Sequence, residues 1–208
     1  MNAKPDESDL QKTDIWLITG GGRSGKSAFA EKITKEKISE EIGKGKAGRP
    51  GVLYIATGVA MDEEMKDRIM QHRVSRPPEW ITWECYRGFA DIESEFEPNE
   101  FGTIMLDCIG NMLMGVLFDE ESDPDVCTLE QFDHAEKLST LEIDTLCSYA
   151  QKHGKRLVFV TNEIGMGIIP ETRYTRYYRD ALGRVNQYAA KVADNVILMV
   201  AGIPVTLK

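Results

Sequence analysis

A glycine-rich stretch near the start of the chain carries the clearest chemical signal in the sequence. Residues 20–27 read GGGRSGKS, which fits the pattern G-x-x-x-x-G-K-[S/T] between an apolar run and a helical pattern. Glycines let backbone N–H groups turn inward around phosphates, and the helix N-terminus adds partial positive charge. We expect Lys26 to reach the β- and γ-phosphates and the Ser27 hydroxyl to bind Mg²⁺. The sequence therefore predicts a P-loop that binds a nucleoside triphosphate with magnesium.

A second group suited to this chemistry is Asp107, which follows the apolar run TIML at residues 103–106. A carboxylate at the C-terminal end of a parallel strand lies in the crevice where such sheets bind their ligands. We therefore expect Asp107 to be the second protein ligand of the magnesium ion. The alternative is an aspartate that caps the following helix, which is a common arrangement after a strand.

His72 is one of three histidines, and it has unusual neighbours. On the helix predicted for residues 63–73, Glu64, Arg68 and His72 share one face, and Arg73 and Arg76 follow. A guanidinium group pairs two phosphate oxygens at once, and a histidine beside it could attack phosphorus to form a phosphoramidate. The residues alone favour the plainer interpretation, in which His72 is partly exposed and paired with nearby charges.

The elements that must position these residues alternate along the chain. Apolar runs predict strands at residues 15–19, 52–56, 81–84, 103–106, 156–161, 196–200 and 205–207. Helical patterns cover residues 27–37, 63–73, 111–118, 129–152 and 174–193. This alternation predicts an α/β fold of the P-loop NTPase, RecA-like type, a mostly parallel sheet with helices on both faces. The short link between the last two strands requires an antiparallel edge.

Composition and charge narrow the class of protein. The chain has 208 residues and a formal net charge of -9, which argues against a basic nucleic-acid surface. We expect one domain over residues 14–208 after a disordered tail at residues 1–13. No signal peptide and no apolar run long enough to span a bilayer is evident, and the four cysteines are scattered. The sequence therefore predicts a cytoplasmic protein with free thiols.

Longer segments carry a family resemblance. They are ITGGGRSGKSAFAE at residues 18–31, YIATG at 54–58, DEEMKDRIMQHRVSRPPEWITWE at 62–84, and the block from VTNEIGMGIIP to the end at 160–208. In these segments the chain resembles the bifunctional adenosylcobinamide kinase/adenosylcobinamide-phosphate guanylyltransferase family of cobalamin biosynthesis. The resemblance covers well over half of the chain. Residues 1–13 and about 40–51 look like additions outside the family core, and Gly22 stands where alanine is frequent.

The resemblance implies two reactions on a corrinoid substrate. The enzyme phosphorylates adenosylcobinamide with GTP or ATP, and then transfers GMP from GTP to that phosphate. The GMP is carried on a histidine, which corresponds to His72; Lys26 is the other catalytic residue. The resemblance also implies a homotrimer. Nucleotide contacts carry over to Gly20, Gly21, Gly22, Arg23, Ser24, Gly25, Lys26, Ser27, Ala56, Thr57, Gly58, Arg73, Val74, Ser75, Arg76, Glu84 and Asp107.

Two alternatives remain beside this interpretation. A P-loop kinase for another small alcohol would need no covalent histidine, and a GTP-dependent switch or binding module would transfer nothing. No guanine-reading N-K-x-D run is present, which weighs against a switch. Five further polar residues near the end of the chain could serve the corrinoid, a subunit contact or simply the core; these are Asn162, Glu163, Arg184, Asn186 and Gln187.

Overall fold

Seven strands form one sheet in the computed structural model of this chain, which describes residues 14–43, 51–59, 63, 70, 76–120, 123 and 126–208. The strand order across the sheet is β3-β2-β4-β5-β1-β6-β7. The strands are β1 (Asp14–Gly20), β2 (Val52–Ala56), β3 (Ile81–Glu84), β4 (Thr103–Asp107), β5 (Arg156–Val160), β6 (Asn195–Val200) and β7 (Ile203–Thr206). All neighbouring pairs are parallel except β6 and β7, so the predicted fold class and its antiparallel edge are confirmed.

Four of the five described helices correspond to predicted ones. The five are α1 (Lys26–Gly43), α2 (Ile92–Glu95), α3 (Ile109–Glu120), α4 (Leu129–His153) and α5 (Arg173–Val192). Helix α1 runs past the helix predicted for residues 27–37 and ends at Gly43, within the stretch that the sequence left open as a surface loop or an extension of the helix. The short α2 has no counterpart in the prediction. The predicted tail at residues 1–13 and most of the predicted helix at 63–73 lie outside the described residues.

The central strands are buried on both faces, which explains why they read as continuous apolar runs. Two apolar cores result. Helices α3, α4 and α5 cover the larger core on one face, and α1 covers the smaller core on the other. Helix α4 begins with a capping box between Thr128 and Gln131 and ends at Gly154 in the left-handed conformation. No helix in the described ranges is long and apolar enough to cross a membrane.

The antiparallel edge differs in detail from the prediction. The turn between β6 and β7 consists of Ala201 and Gly202, with φ of 51° and 82°. Both residues therefore adopt the positive φ that a two-residue hairpin turn needs. The sequence had placed Ile203 and Pro204 in the link, but they already pair with Val200 and Met199. Proline is tolerated there because β7 is an edge strand.

Candidate nucleotide site

The P-loop follows β1 directly and leads into α1, as the motif requires. Gly20 and Gly25 have φ of 148° and 92°, a conformation that side chains with a Cβ rarely adopt. A Cβ on Gly20 would lie 2.5 Å from the backbone oxygen of Met199. Gly21 and Gly22 have open space around the same position. The first and the sixth residues of the loop therefore require glycine, and the second and third do not.

The side chain of Lys26 is buried although it carries a charge. The residue is 7% exposed, and its Nζ donates a hydrogen bond to the carbonyl oxygen of Gly21 at 2.6 Å. Burial lowers the pKa of Lys26, while the charge of the Asp107 carboxylate partly opposes that shift. The ammonium group is thus held inside the loop, close enough to Asp107 for their charges to interact, which suits a group that neutralises phosphate charge.

The sheet brings three of the predicted site residues into one row. Glu84, Ala56 and Asp107 pair across β3, β2 and β4 at the C-terminal edge of the sheet. Strand β5 lies between β4 and β1, so Asp107 stands two strands away from the strand that enters the P-loop. Two strand spacings amount to about 10 Å. This gap leaves room for phosphate groups between the P-loop and the carboxylate.

Thr57 fixes the ends of β2 and β4 relative to each other. Its backbone N–H donates to the carbonyl oxygen of Asp107 at 3.2 Å. Its hydroxyl group donates to the carbonyl oxygen of Cys108, and the N–H of Cys108 donates back to the same hydroxyl oxygen, both at 2.7 Å. Thr57 is fully buried. Its side chain therefore serves the frame of the site, and Gly58 beside it is half-buried.

Tyr54 contacts two of the predicted site residues, although the sequence indicated only that it lies in an apolar strand and in the segment YIATG of the family resemblance. Its hydroxyl group donates a hydrogen bond to Oδ2 of Asp107 at 2.7 Å. The guanidinium carbon of Arg76 lies 4.0 Å from the centre of its ring. Nε and Nη1 of Arg76 are buried, without a hydrogen-bond partner among the described residues. The only indication in the sequence was the hydroxyl group of Tyr54, a polar group within the otherwise apolar run VLYIA.

Four predicted site residues, His72, Arg73, Val74 and Ser75, lie outside the described residues. The chain on either side is described. Val59 comes three residues after β2, which ends at the C-terminal edge of the sheet, and Arg76 contacts Tyr54 of that strand. Val59 and Arg76 therefore both lie near the residues of β2.

The polar residues of the C-terminal block mostly hold the fold together. Asn186 accepts a hydrogen bond from the Thr161 hydroxyl at 2.6 Å and donates one to the carbonyl oxygen of Asn162 at 2.9 Å. Arg184 pairs with Glu136 on α4 at 2.6 Å. The N–H of Glu163 donates to the carbonyl oxygen of Gly20 at 2.9 Å. The core interpretation therefore gains support for the partly buried Asn186, whereas Arg184 is exposed and forms a surface ion pair with α4. Glu163 links the end of β5 to the P-loop.

Comparison with known proteins identifies the family. A model described as "CobU: Cobinamide kinase / cobinamide phosphate guanyltransferase" matches residues 16–207. The chain belongs to this family. It is 43% identical over 197 residues to the bifunctional adenosylcobalamin biosynthesis protein CobU of Salmonella typhimurium, covering 92% of this chain and 98% of that protein. The CobU protein of Escherichia coli is 40% identical over 195 residues, with the same coverage.

More distant similarities extend the comparison. The bifunctional adenosylcobalamin biosynthesis protein CobP of Pseudomonas aeruginosa is 34% identical over 193 residues, covering 92% of this chain and 96% of that protein. Among solved structures, a KaiC-like protein of Pyrococcus horikoshii matches with a TM-score of 0.44 and 12% identity, covering 89% of this chain and 71% of that one. That structural similarity is too low to support a conclusion about function. Membership of the cobinamide kinase / cobinamide phosphate guanyltransferase family makes the chain an enzyme of cobalamin biosynthesis.

The oxygen atoms of the site fit a magnesium ion. Ser27 in the first turn of α1 and Asp107 at the end of β4 offer a hydroxyl and a carboxylate oxygen, which are hard donors. Tyr54 binds Oδ2 of Asp107, so Oδ1 can still reach a metal ion. Within the described ranges no group of three or more His, Cys, Asp or Glu residues could hold a metal. Magnesium needs few protein ligands, because it keeps waters and substrate phosphates.

Proposed function

We propose that this protein phosphorylates the hydroxyl group of adenosylcobinamide with GTP or ATP and then transfers GMP to the new phosphate through His72. The observation that carries the proposal is the buried Lys26 inside a complete P-loop, where its charge interacts with that of Asp107. The chain that holds this site belongs to the cobinamide kinase / cobinamide phosphate guanyltransferase family. Both steps are attacks on phosphorus, in which catalysis consists mostly of positioning and charge neutralisation.

The kinase step uses the P-loop side of the site. The substrate hydroxyl attacks the γ-phosphorus, the bond to the β-phosphate oxygen breaks, and the hydroxyl proton leaves to solvent or a nearby base. Lys26 and the N-terminus of α1 stabilise the charge on the phosphate oxygens. Ser27 and Asp107 would hold Mg²⁺, which neutralises phosphate charge when it is bound. The products are adenosylcobinamide phosphate and a nucleoside diphosphate.

The guanylyltransferase step uses His72. An unprotonated ring nitrogen attacks the α-phosphorus of GTP, and pyrophosphate leaves. A phosphate oxygen of adenosylcobinamide phosphate then attacks the same phosphorus, and the phosphorus–nitrogen bond breaks to give adenosylcobinamide-GDP. Because the attacking nitrogen must be unprotonated, we expect the rate to fall below about pH 6.5, the ordinary pKa of histidine. The Arg76 guanidinium, with buried and unpaired nitrogens among the described residues, is suited to bind phosphate oxygens.

The other properties of the protein follow from the same proposal. We expect Mg²⁺-dependent activity in the cytoplasm, because the relatives are bacterial biosynthesis proteins and the reactants are nucleotides. We expect a homotrimer, as the family resemblance implies. The net charge of -9 supports a small-molecule substrate and no nucleic acid.

Labelled GTP tests the proposed mechanism. The protein is incubated with α-labelled GTP and denatured, and the precipitate is examined for label that is lost in acid and retained in alkali. We expect this label in the wild type and in His134→Ala, whose histidine is exposed on α4, and none in His72→Ala. A second incubation with γ-labelled GTP and adenosylcobinamide should label the corrinoid.

Each rival gives a different pattern. A monofunctional kinase would label the corrinoid from γ-labelled GTP and leave no label on the protein. A GTP-dependent switch would produce neither product. Label that persists in His72→Ala would show that another residue carries GMP and would contradict the proposed role of His72.

A further inference from the structure

Tyr54 lies between two charged groups at the nucleotide edge of the sheet. We propose that Tyr54 is a positioning residue, whose hydroxyl group orients the Asp107 carboxylate and whose ring orients the Arg76 guanidinium. The proposal rests on the proposed function, because it assigns Asp107 and Arg76 to the metal and the phosphates of the bound nucleotide. It adds a residue that links Asp107 and Arg76 and acts through them.

The hydroxyl group reaches Asp107 because of the strand register. Tyr54 pairs with Met105, two residues before Asp107, so the side chains of Tyr54 and Asp107 lie on the same face of the sheet. The hydrogen bond of 2.7 Å to Oδ2 restricts rotation of the carboxylate. The hydroxyl group is the donor in this bond, because an ionised carboxylate can only accept.

The ring of Tyr54 packs against the guanidinium group of Arg76. It is 2% exposed, and Trp80 packs against it with ring centres 6.2 Å apart, which fixes the plane of the ring. The guanidinium group of Arg76 stacks at 4.0 Å over that plane. Stacking uses the flat face of the guanidinium, so the N–H groups at its edge can donate hydrogen bonds in the plane of the group, as they do to phosphate oxygens. Nε and Nη1 on this edge are the buried nitrogens without a partner among the described residues.

These two contacts predict separable effects of substitution. Tyr54→Phe removes the hydroxyl and keeps the ring, so it frees the Asp107 carboxylate and leaves Arg76 stacked. Tyr54→Phe should weaken the GTP binding that depends on Mg²⁺ and leave the GTP binding without metal unchanged. Tyr54→Leu removes both contacts, so it should also weaken binding that needs no metal. A purely structural role would instead lower stability and affect both kinds of binding together.

The experiment measures GTP affinity by titration calorimetry in EDTA and across a series of Mg²⁺ concentrations. We expect Tyr54→Phe to raise the Mg²⁺ concentration for half-maximal binding by about tenfold, the lower end for loss of a group that orients a metal ligand. Its affinity for GTP in EDTA should change by less than about twofold. Tyr178→Phe is the matched control, because it removes the hydroxyl of a half-buried tyrosine that donates to the carbonyl oxygen of Gly110 at 3.0 Å. Tyr178→Phe should change neither the Mg²⁺ concentration for half-maximal binding nor the GTP affinity in EDTA.

Each outcome decides the proposal. An Mg²⁺ requirement in Tyr54→Phe equal to that of Tyr178→Phe overturns it. Affinity in EDTA that is the same in Tyr54→Leu and Tyr54→Phe also overturns it, because the ring would then not support Arg76. If Tyr54→Leu does not fold, Arg76→Lys replaces it and should lose affinity in EDTA. A wild-type protein that binds no GTP would overturn the proposed function as well, whereas normal wild-type binding with unaltered Tyr54→Phe overturns this inference alone.

Discussion

Replacing Gly20 by alanine would place a methyl group where the P-loop has no room for one. The new Cβ would lie 2.5 Å from the backbone oxygen of Met199 and 2.8 Å from Oγ of Ser24. Met199 pairs with Gly20 in the ladder between β1 and β6, so its oxygen cannot move without disturbing the sheet. In addition, the φ of 148° is one that alanine rarely adopts.

Two terms set the magnitude. The backbone conformation costs roughly 1–3 kcal/mol for a residue with a Cβ. Overlap in a packed site costs roughly 1–3 kcal/mol more. We therefore expect Gly20→Ala to lower the free energy of unfolding by about 4 kcal/mol, since the two terms act together. For a chain of this size such a loss lowers the melting temperature by about 8–16 °C.

Gly22→Ala is the matched control within the same loop. Nothing lies within 4 Å of the Cβ it would add, and Gly22 does not have a positive φ. We expect its free energy of unfolding to change by less than about 0.5 kcal/mol and its GTP affinity to stay unchanged. Urea unfolding followed by circular dichroism, without nucleotide, measures both variants. A loss below about 1 kcal/mol in Gly20→Ala, or an equal loss in the two variants, would refute the reasoning.

Two further predictions concern buried ionisable groups. Lys26→Met should abolish the rise in melting temperature that GTP produces. Without nucleotide its free energy of unfolding should stay the same or rise by about 1 kcal/mol, because a desolvated charge is removed. A marked loss of stability without nucleotide would contradict this. Burial raises the pKa of Cys85, Cys108 and Cys147 to about 12, so iodoacetamide at pH 8 should label them far more slowly in the native protein than in urea, as mass spectrometry can measure. Unfolded thiols ionise near pH 9, so the free energy of unfolding should fall as the pH rises from 9 to 12.

The local parts of the site could be predicted from the sequence because neighbouring residues determine them. The strand, the P-loop and the start of α1 form one continuous stretch, and their pattern is complete within residues 14–27. Beyond residue 37 the sequence left two possibilities open, a surface loop or an extension of the helix, because this stretch is rich in Lys, Glu and Gly. The helix continues to Gly43, and an ion pair between Lys37 and Glu40 supports its added turn.

The non-local parts could not be predicted in the same way. Alternation of strands and helices indicates a parallel sheet, but it does not reveal that β5 lies between β1 and β4. The distance from the P-loop to Asp107 depends on that order. The role of Tyr54 depends on Asp107 and Arg76, which lie 53 and 22 positions away in the sequence. The spacing of residues within the strand does not predict these partners. The interpretation of Arg184 was open for the same reason, since its partners lie on another helix.

The position of β1 in the sheet has a consequence for how the protein is made. β1 is synthesised before the other strands, yet its two neighbours in the sheet are β5 and β6. Its Ile15 N–H donates to Oδ2 of Asp194, 179 positions later. At ordinary rates of translation the ribosome takes about 10–40 s to supply those partners. The apolar residues of β1 therefore remain without their sheet partners during that interval, and only transient contacts within the nascent chain or with chaperones can cover them.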